Sequence, residues 1–253
     1  MNRCVFVFLG ILLLSLAFTP FTIQAQRVDT TDTARLGTKD SLRMPVQPVA
    51  LKFTARQLRV PVGLMAVGIG ATLWNNEESL KNELVEERNE HLFNFDSHLD
   101  NYLQYSPIVI AYGLDAFGIP AKTDFMNRSA IMFKGELLAL GSVTLLKHIT
   151  HERRPNGSDY YSFPSGHTTE AFAAATLLSE EYKDRFKWMP YAAYGIATSV
   201  GVFRMANNKH YIGDVIMGAG LGILSMKIAY WTHQYKWGKK AKIRRDWLPS
   251  DLQ

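Results

Sequence analysis

The sequence predicts an all-α protein: a single bundle-like domain of about six core helices with its functional groups at one end. Three observations predict this class. Apolar residues recur in stretches of roughly fifteen at helical spacing. A period-two alternation is nowhere sustained, and no internal repeat is present. The chain has 253 residues, 47% of them apolar and 20% charged, which suits one sizeable core rather than a disordered chain. The net charge of +5 is a modest bias towards anionic partners, and no zinc-finger, helix-turn-helix or RNA-binding pattern accompanies it, so no nucleic acid is expected as a partner. A single cysteine, Cys4, excludes a disulfide framework and a cysteine metal site.

In chain order, residues 1–25 read as a signal peptide. Arg3 supplies a positive start, residues 5–18 an apolar run, and Ala25 a small residue for cleavage; an uncleaved membrane anchor is the alternative. Residues 26–56 carry Asp, Thr, Ser, Arg and Pro without helical periodicity and read as a flexible linker. The helical domain is expected over 57–235. It opens with an apolar stretch at 60–74, where Gly63, Gly68 and Gly70 permit close packing. A surface helix over about 75–92 follows, with Leu80, Leu84 and Val85 as its apolar stripe. Further apolar helices are expected at 107–119, at 129–149 (interrupted by Lys134 and Glu136), at 168–182, at 189–203 and at 211–231. Residues 236–253 form a basic tail that includes Lys236, Lys239, Lys240, Lys242, Arg244 and Arg245. It is either a solvated end or a contact with anionic lipid headgroups, worth about 1 kcal/mol per basic residue near such a surface.

Three segments carry candidate chemistry. In the first, Lys147 stands near a helix end and Arg154 seven residues on, where Pro155 disfavours further helix. Together they offer a point charge and a two-pronged donor for phosphate-like oxygens, although basic residues at helix ends also simply complement the dipole. In the second, Pro164-Ser165-Gly166-His167 turns directly into a helix. Its backbone N–H groups make an anion site, with His167 placed to pass a proton; Ser165 as a plain N-cap is the bland alternative. In the third, Arg204 precedes His210 and Asp214. The latter two lie four apart, one helical turn, so that Asp214 can orient the imidazole and free its other nitrogen to attack; an ordinary surface pair is the alternative. A zinc site on these histidines lacks further ligands at suitable spacing. Each segment falls at the end of an apolar helix, and an up-and-down bundle brings those ends to one face.

Lys147-x6-Arg154-Pro155, Pro164-Ser165-Gly166-His167 and Arg204-x5-His210-x3-Asp214 resemble the three-part signature of the type 2 phosphatidic acid phosphatase and vanadium haloperoxidase superfamily, in its bacterial acid or lipid phosphatase branch. The resemblance covers Lys147 to Asp214, and the flanking helices fit that superfamily's six-helix core from about 57 to 232. One departure is Phe203, where the family often has serine before the arginine. The resemblance implies catalytic roles for His210 as nucleophile, Asp214 as its orienter and His167 as general acid. It implies phosphate binding by Lys147, Arg154, Ser165, Gly166 and Arg204, with no metal and no cofactor. The activity implied is metal-independent hydrolysis of a phosphate monoester or diphosphate through a phosphohistidine. The substrate would be a lipid phosphate, an isoprenoid diphosphate or a small ester. A vanadate-dependent haloperoxidase and a non-catalytic anion-binding helical protein are the alternatives. No obligate protein partner is evident. The expected location is extracytoplasmic, a periplasmic domain that rests on the membrane, because the apolar stretches are short of the roughly 20 residues a span needs. An integral inner-membrane protein with an outward-facing site is the alternative, since Arg128, Lys183, Arg185, Lys187 and the basic tail gather at the end opposite the site.

Overall fold

Small side chains decide which helices form the centre of this molecule. The computed structural model describes residues 53–234, apart from 75, 77 and 78. The signal peptide, nearly all of the linker and the basic tail expected from the sequence lie outside the described residues. A 3₁₀ turn, Ala55–Leu58, leads into eight α-helices. These are α1 (Arg59–Leu73), α2 (Leu80–His91), α3 (Leu99–Leu103), α4 (Ser106–Ala116), α5 (Phe125–Thr150), α6 (Gly166–Tyr182), α7 (Met189–Ala206) and α8 (Ile212–Trp231). Among the described residues there is no strand. The six longer apolar helices are α1 and α4 to α8, as the sequence predicts.

Helices α6 and α8 form the axis. Nearly all of α6 after its first turn is buried, and its Ala and Thr side chains let neighbours approach closely. On α8, a Cβ at Gly222 would stand 2.2 Å from the Thr169 carbonyl on α6. A Cβ at Gly220 would stand 2.6 Å from the Pro61 carbonyl on α1. Thus α8 meets α6 on one face and α1 on another at backbone distance. Two apolar clusters complete the packing. One joins α4, α6 and α7 through Ala111, Ala171, Leu178, Tyr182, Ala193 and Val200. The other joins α5, α6 and α8 through Ile131, Leu177, Met226 and Tyr230.

Polar groups lock the end away from the candidate site. The buried Glu181 accepts hydrogen bonds from the Thr123 backbone N–H at 2.8 Å, the Thr123 hydroxyl at 2.9 Å and the Tyr230 hydroxyl at 2.7 Å. Arg128, also buried, pairs with Asp115 at 2.6 Å and lies over the Tyr112 ring. Burying these charges is tolerable because each has such partners.

The structure corrects three expectations. First, the apolar stretches were expected to fall short of a span, but the helix expected at 129–149 has 26 residues and α8 has 20. Lys134 reaches the Thr232 carbonyl and hydroxyl, while Glu136 hydrogen-bonds to Glu170 on α6, so neither charge ends the helix. Both α5 and α8 are long and apolar enough to cross a membrane. They differ in setting: α8 is mostly covered by protein, whereas α5 leaves Phe133, Leu137, Leu140, Leu145 and Ile149 exposed. Second, Leu84 and Val85 of the expected stripe on α2 are half-buried, but the stripe's deepest members are polar. Leu80 is exposed, and Lys81 and Arg88 are the buried pair, because both find polar partners around the candidate site. Third, the short helix α3 was not expected, since five residues carry too little periodicity to show.

Candidate active site

The end of α5 supplies the first segment. Helix α5 closes at Thr150, with His151 in the left-handed region at φ 48°. Lys147 lies in the last turn, and its Nζ donates to the Tyr161 carbonyl. Arg154 sits on the exit loop, as its place before Pro155 predicts. Its Nε donates to Asp159 Oδ1 at 2.7 Å, and its NH1 donates to the Lys209 carbonyl at 3.3 Å. The second contact crosses to the third segment, as does a hydrogen bond from the Asn156 N–H to the Asn208 carbonyl at 3.2 Å.

The second segment opens α6. Ser165 is the N-cap residue, but its fully buried hydroxyl pairs with the Thr168 hydroxyl at 2.9 Å instead of capping a backbone N–H. Its own N–H donates to the Asp214 carbonyl at 3.1 Å, which ties the start of α6 to the start of α8. Gly166 and His167 occupy the first turn, where backbone N–H groups have no helical acceptor and favour an anion. His167 Nε2 lies 2.7 Å from Asn101 Oδ1. A carboxamide oxygen only accepts, so Nε2 carries the proton.

The third segment joins α7 to α8. Arg204, in the last turn of α7, donates from NH1 to Asp100 Oδ2 at 2.7 Å. Asn208 turns the chain at φ 57°, and the Lys209 N–H returns to the Arg204 carbonyl at 3.0 Å. Here the sequence reading needs correction: His210 and Asp214 do not share a helical turn. His210 precedes α8, Tyr211 is the N-cap and Asp214 is the third residue of the helix, reaching back to accept from the Tyr211 N–H at 2.9 Å. That capping geometry, not helical i,i+4 spacing, brings Asp214 Oδ2 within 3.4 Å of His210 Nδ1. The Ser162 hydroxyl donates to the same oxygen. Asp214 is fully buried, and His210 is only 3% exposed.

The hydrogen bonding settles the tautomer of His210. Nδ1–H faces the carboxylate, so Nε2 carries the lone pair. Arg154 NH1 stands 3.4 Å from that nitrogen, as a donor should. Burial, and then the positive charges of Arg204, Arg154 and Lys147, hold the imidazole of His210 well below its ordinary proton affinity. His167 is pushed down to about 4, by burial first and then by Arg204, with Asp100 opposing and Arg154 and Lys147 adding to the effect. The cations that keep both rings neutral also form a field suited to an oxyanion.

All the residues singled out from the sequence therefore fall at one end of the bundle. Others around them were not foreseen. Asp100 and Asn101 hold Arg204 and His167. Asn207 is clamped to Ser97 by its Oδ1 and Nδ2, at 2.9 Å and 2.7 Å. From α2, Lys81 pairs with Glu152 and lies 4.1 Å from the Tyr211 ring centroid. Arg88 donates to the Ala206 carbonyl at 2.8 Å and so caps α7. Asn207 lies within the third segment and Ser162 adjoins the second, so these two carried a sequence signal.

Residues 130–238 match the model of the PAP2 superfamily. The lipid A 1-phosphatase of Porphyromonas gingivalis is 35% identical over 138 residues, which are 54% of this chain and 31% of that protein. The match thus spans under a third of the length of that curated relative. Two solved structures are also similar. The first is LpxE of Aquifex aeolicus, with 23% identity, 59% of this chain and 94% of that one covered, and a TM-score of 0.45. The second is a transmembrane PAP2 type phosphatidylglycerolphosphate phosphatase from Bacillus subtilis, with 20% identity, 68% and 94% covered, and a TM-score of 0.45. Residues 130–238, the part of this chain that is similar to the PAP2 superfamily, hold all three segments.

Proposed function

We propose that this protein is a metal-independent phosphatase that hydrolyses a lipid phosphate through a phosphohistidine on His210. The observation that carries this reading is the arrangement around His210: a carboxylate behind Nδ1, and Arg154 in front of the lone pair on Nε2. In this mechanism the phosphoryl oxygens displace Arg154 from Nε2 and are gripped by Lys147, Arg154, Arg204 and the Gly166 N–H. Nε2 attacks phosphorus in line, and the ester P–O bond breaks as His167, which takes up a second proton on Nδ1 when the phosphate dianion enters, delivers that proton to the departing oxygen. Asp214 stabilises the positive charge that develops on the His210 ring. Water, deprotonated by His167, then attacks the phosphohistidine and releases inorganic phosphate. Fixed cations neutralise the equatorial oxygens, which is the largest demand of phosphoryl transfer.

A lipid substrate is favoured by two supports. One is the relative from Porphyromonas gingivalis, whose name states a lipid phosphatase. The other is the exposed apolar face of α5, which runs up to Lys147 and suits the acyl region of a bilayer, with the site at headgroup level. In this reading the site faces away from the cytoplasm, and Lys183, Arg185 and Lys187 lie at the opposite end.

The test is phosphate release by the purified full-length protein, with excess chelator, from a lipid phosphate in mixed micelles and from a soluble monoester. Faster release from the lipid, insensitive to chelator, is expected. Equal rates on the two substrates would remove the lipid assignment. Loss of activity with chelator, restored by magnesium or zinc, would remove the mechanism.

A further inference from the structure

Residues 95–101 lie far in sequence from the three segments yet are fastened to the third one at successive points. The Phe95 ring stacks on Phe203 with centroids 6.2 Å apart and planes 19° from parallel. The backbone of Ser97 exchanges two hydrogen bonds with the Asn207 side chain. Asp100, only 1% exposed, takes Arg204 NH1 on Oδ2 at 2.7 Å and Asn207 Nδ2 on Oδ1 at 3.4 Å. The next residue, Asn101, reaches a different helix and accepts from His167 Nε2. Two adjacent side chains thus hold a phosphate-binding candidate on α7 and a proton-transfer candidate on α6.

We propose that residues 95–101 are a fourth active-site segment, in which Asp100 is the positioning residue for Arg204 and Asn101 the positioning residue for His167. The proposal rests on the phosphatase reading above. Phe203, the departure from the family pattern, has a role in it: stacked on Phe95, it anchors the segment. A buried ion pair such as Asp100–Arg204 is by itself weak evidence of function. What extends the inference is the carboxamide next to it. Asn101 orients the imidazole and fixes its tautomer without adding charge, so His167, once protonated on Nδ1 with substrate bound, releases that proton readily. A carboxylate in the same place would retain that proton more strongly. The charged groups facing His167 are Asp100 from α3, Lys147 from α5, Arg154 from the first loop and Arg204 from α7.

The test uses full-length protein labelled with ¹⁵N-histidine, in wild-type, Asn101→Asp, Asn101→Leu and Asp100→Asn forms. Imidazole titrations are followed by NMR and phosphate release by kinetics. Asn101→Asp, nearly isosteric, should raise the titration midpoint of His167 by on the order of one to two pH units and move the alkaline limb of kcat the same way. Asn101→Leu should abolish the fixed Nε2–H form and lower kcat about tenfold or more on an alkyl phosphate, with KM little changed, as outer-shell partners of functional histidines commonly do. Asp100→Asn should act mainly on KM, through Arg204. An unchanged His167 titration and kcat profile in both Asn101 variants would overturn the proposal. So would uniform loss of kcat and KM in all three, matched by loss of the folded spectrum. The titration does not need turnover, so a wild type that releases no phosphate would defeat the phosphatase reading while the His167–Asn101 contact is still decided by NMR.

Discussion

His210 and His167 make an instructive pair. Each is a histidine near three cations, each is neutral in the resting protein, and each has one ring nitrogen directed at a side-chain oxygen. The oxygen differs. His210 faces a fully buried carboxylate that also collects the Ser162 hydroxyl and the Tyr211 N–H. His167, nearer the surface, faces a carboxamide. An anion behind a ring stabilises the cation that forms when the other nitrogen bonds to phosphorus. A neutral amide holds the ring in place and leaves its acidity to the surrounding cations. The same residue type is thereby set up for two tasks by what stands behind it, and the variants below ask whether that division is real.

The largest effect should come from His210→Ala. Removing the nucleophile should lower turnover by about 10³–10⁴-fold or more, and good leaving groups should not restore it. Asp214→Asn should follow closely. The protein hydrogen bonds to Asp214 converge on Oδ2, while Oδ1 is buried without a partner. An asparagine oxygen can therefore take over the contacts, with about 1–3 kcal/mol lost for the amide left buried. What disappears is the charge, and kcat should fall by up to about 10⁴-fold while the folded spectrum persists. A near-normal kcat in this variant would erase the contrast between the two histidines.

His167→Ala should slow phosphoenzyme formation, read as the burst of released alcohol, by about 10²–10⁴-fold from an alkyl phosphate and much less from p-nitrophenyl phosphate, whose leaving group needs no proton. Equal losses on the two esters would remove His167 from proton transfer. The smallest effect concerns stability. The folded-state value of His167, about 4, lies below the ordinary 6.5, so between those values the unfolded chain binds a proton that the folded protein excludes. The stabilising contribution is complete above pH 6.5 and is lost as pH falls towards 4. Melting temperatures of wild type and His167→Gln from pH 7.5 to 4.5 should converge with acidification, because only the wild type carries this term. Parallel curves would contradict the environment described for His167.

These contrasts also explain what the sequence could and could not convey. The six apolar helices and the three motifs lie in local stretches, and their patterns are legible without a structure. Lys134 and Glu136 made the apolar run of α5 look too short for a span because a sequence does not reveal that Glu136 faces Glu170 and Lys134 reaches the end of α8. Lys81 and Arg88 do not stand out in the sequence because their acceptors, Glu152 and the Ala206 carbonyl, are 71 and 118 residues away. Asp100 and Asn101 belong to no motif, and their partners are 104 and 66 residues distant. The four-residue spacing of His210 and Asp214 suggested a shared helical turn, but the N-cap at Tyr211 excludes His210 from the helix and still leaves the pair adjacent. In the last case the juxtaposition was read correctly and its geometry was not.

The most direct measurement is rapid-quench trapping of the phosphoenzyme with a substrate labelled in its phosphate, followed by mapping of the labelled peptide. The wild type should give an acid-labile phosphoramidate on His210. His167→Ala should accumulate the same adduct when the leaving group is p-nitrophenolate, because attack proceeds and hydrolysis is slowed, and His210→Ala should give none. Label on His167, or label persisting in His210→Ala, would contradict the assignment of nucleophile and acid on which the account rests.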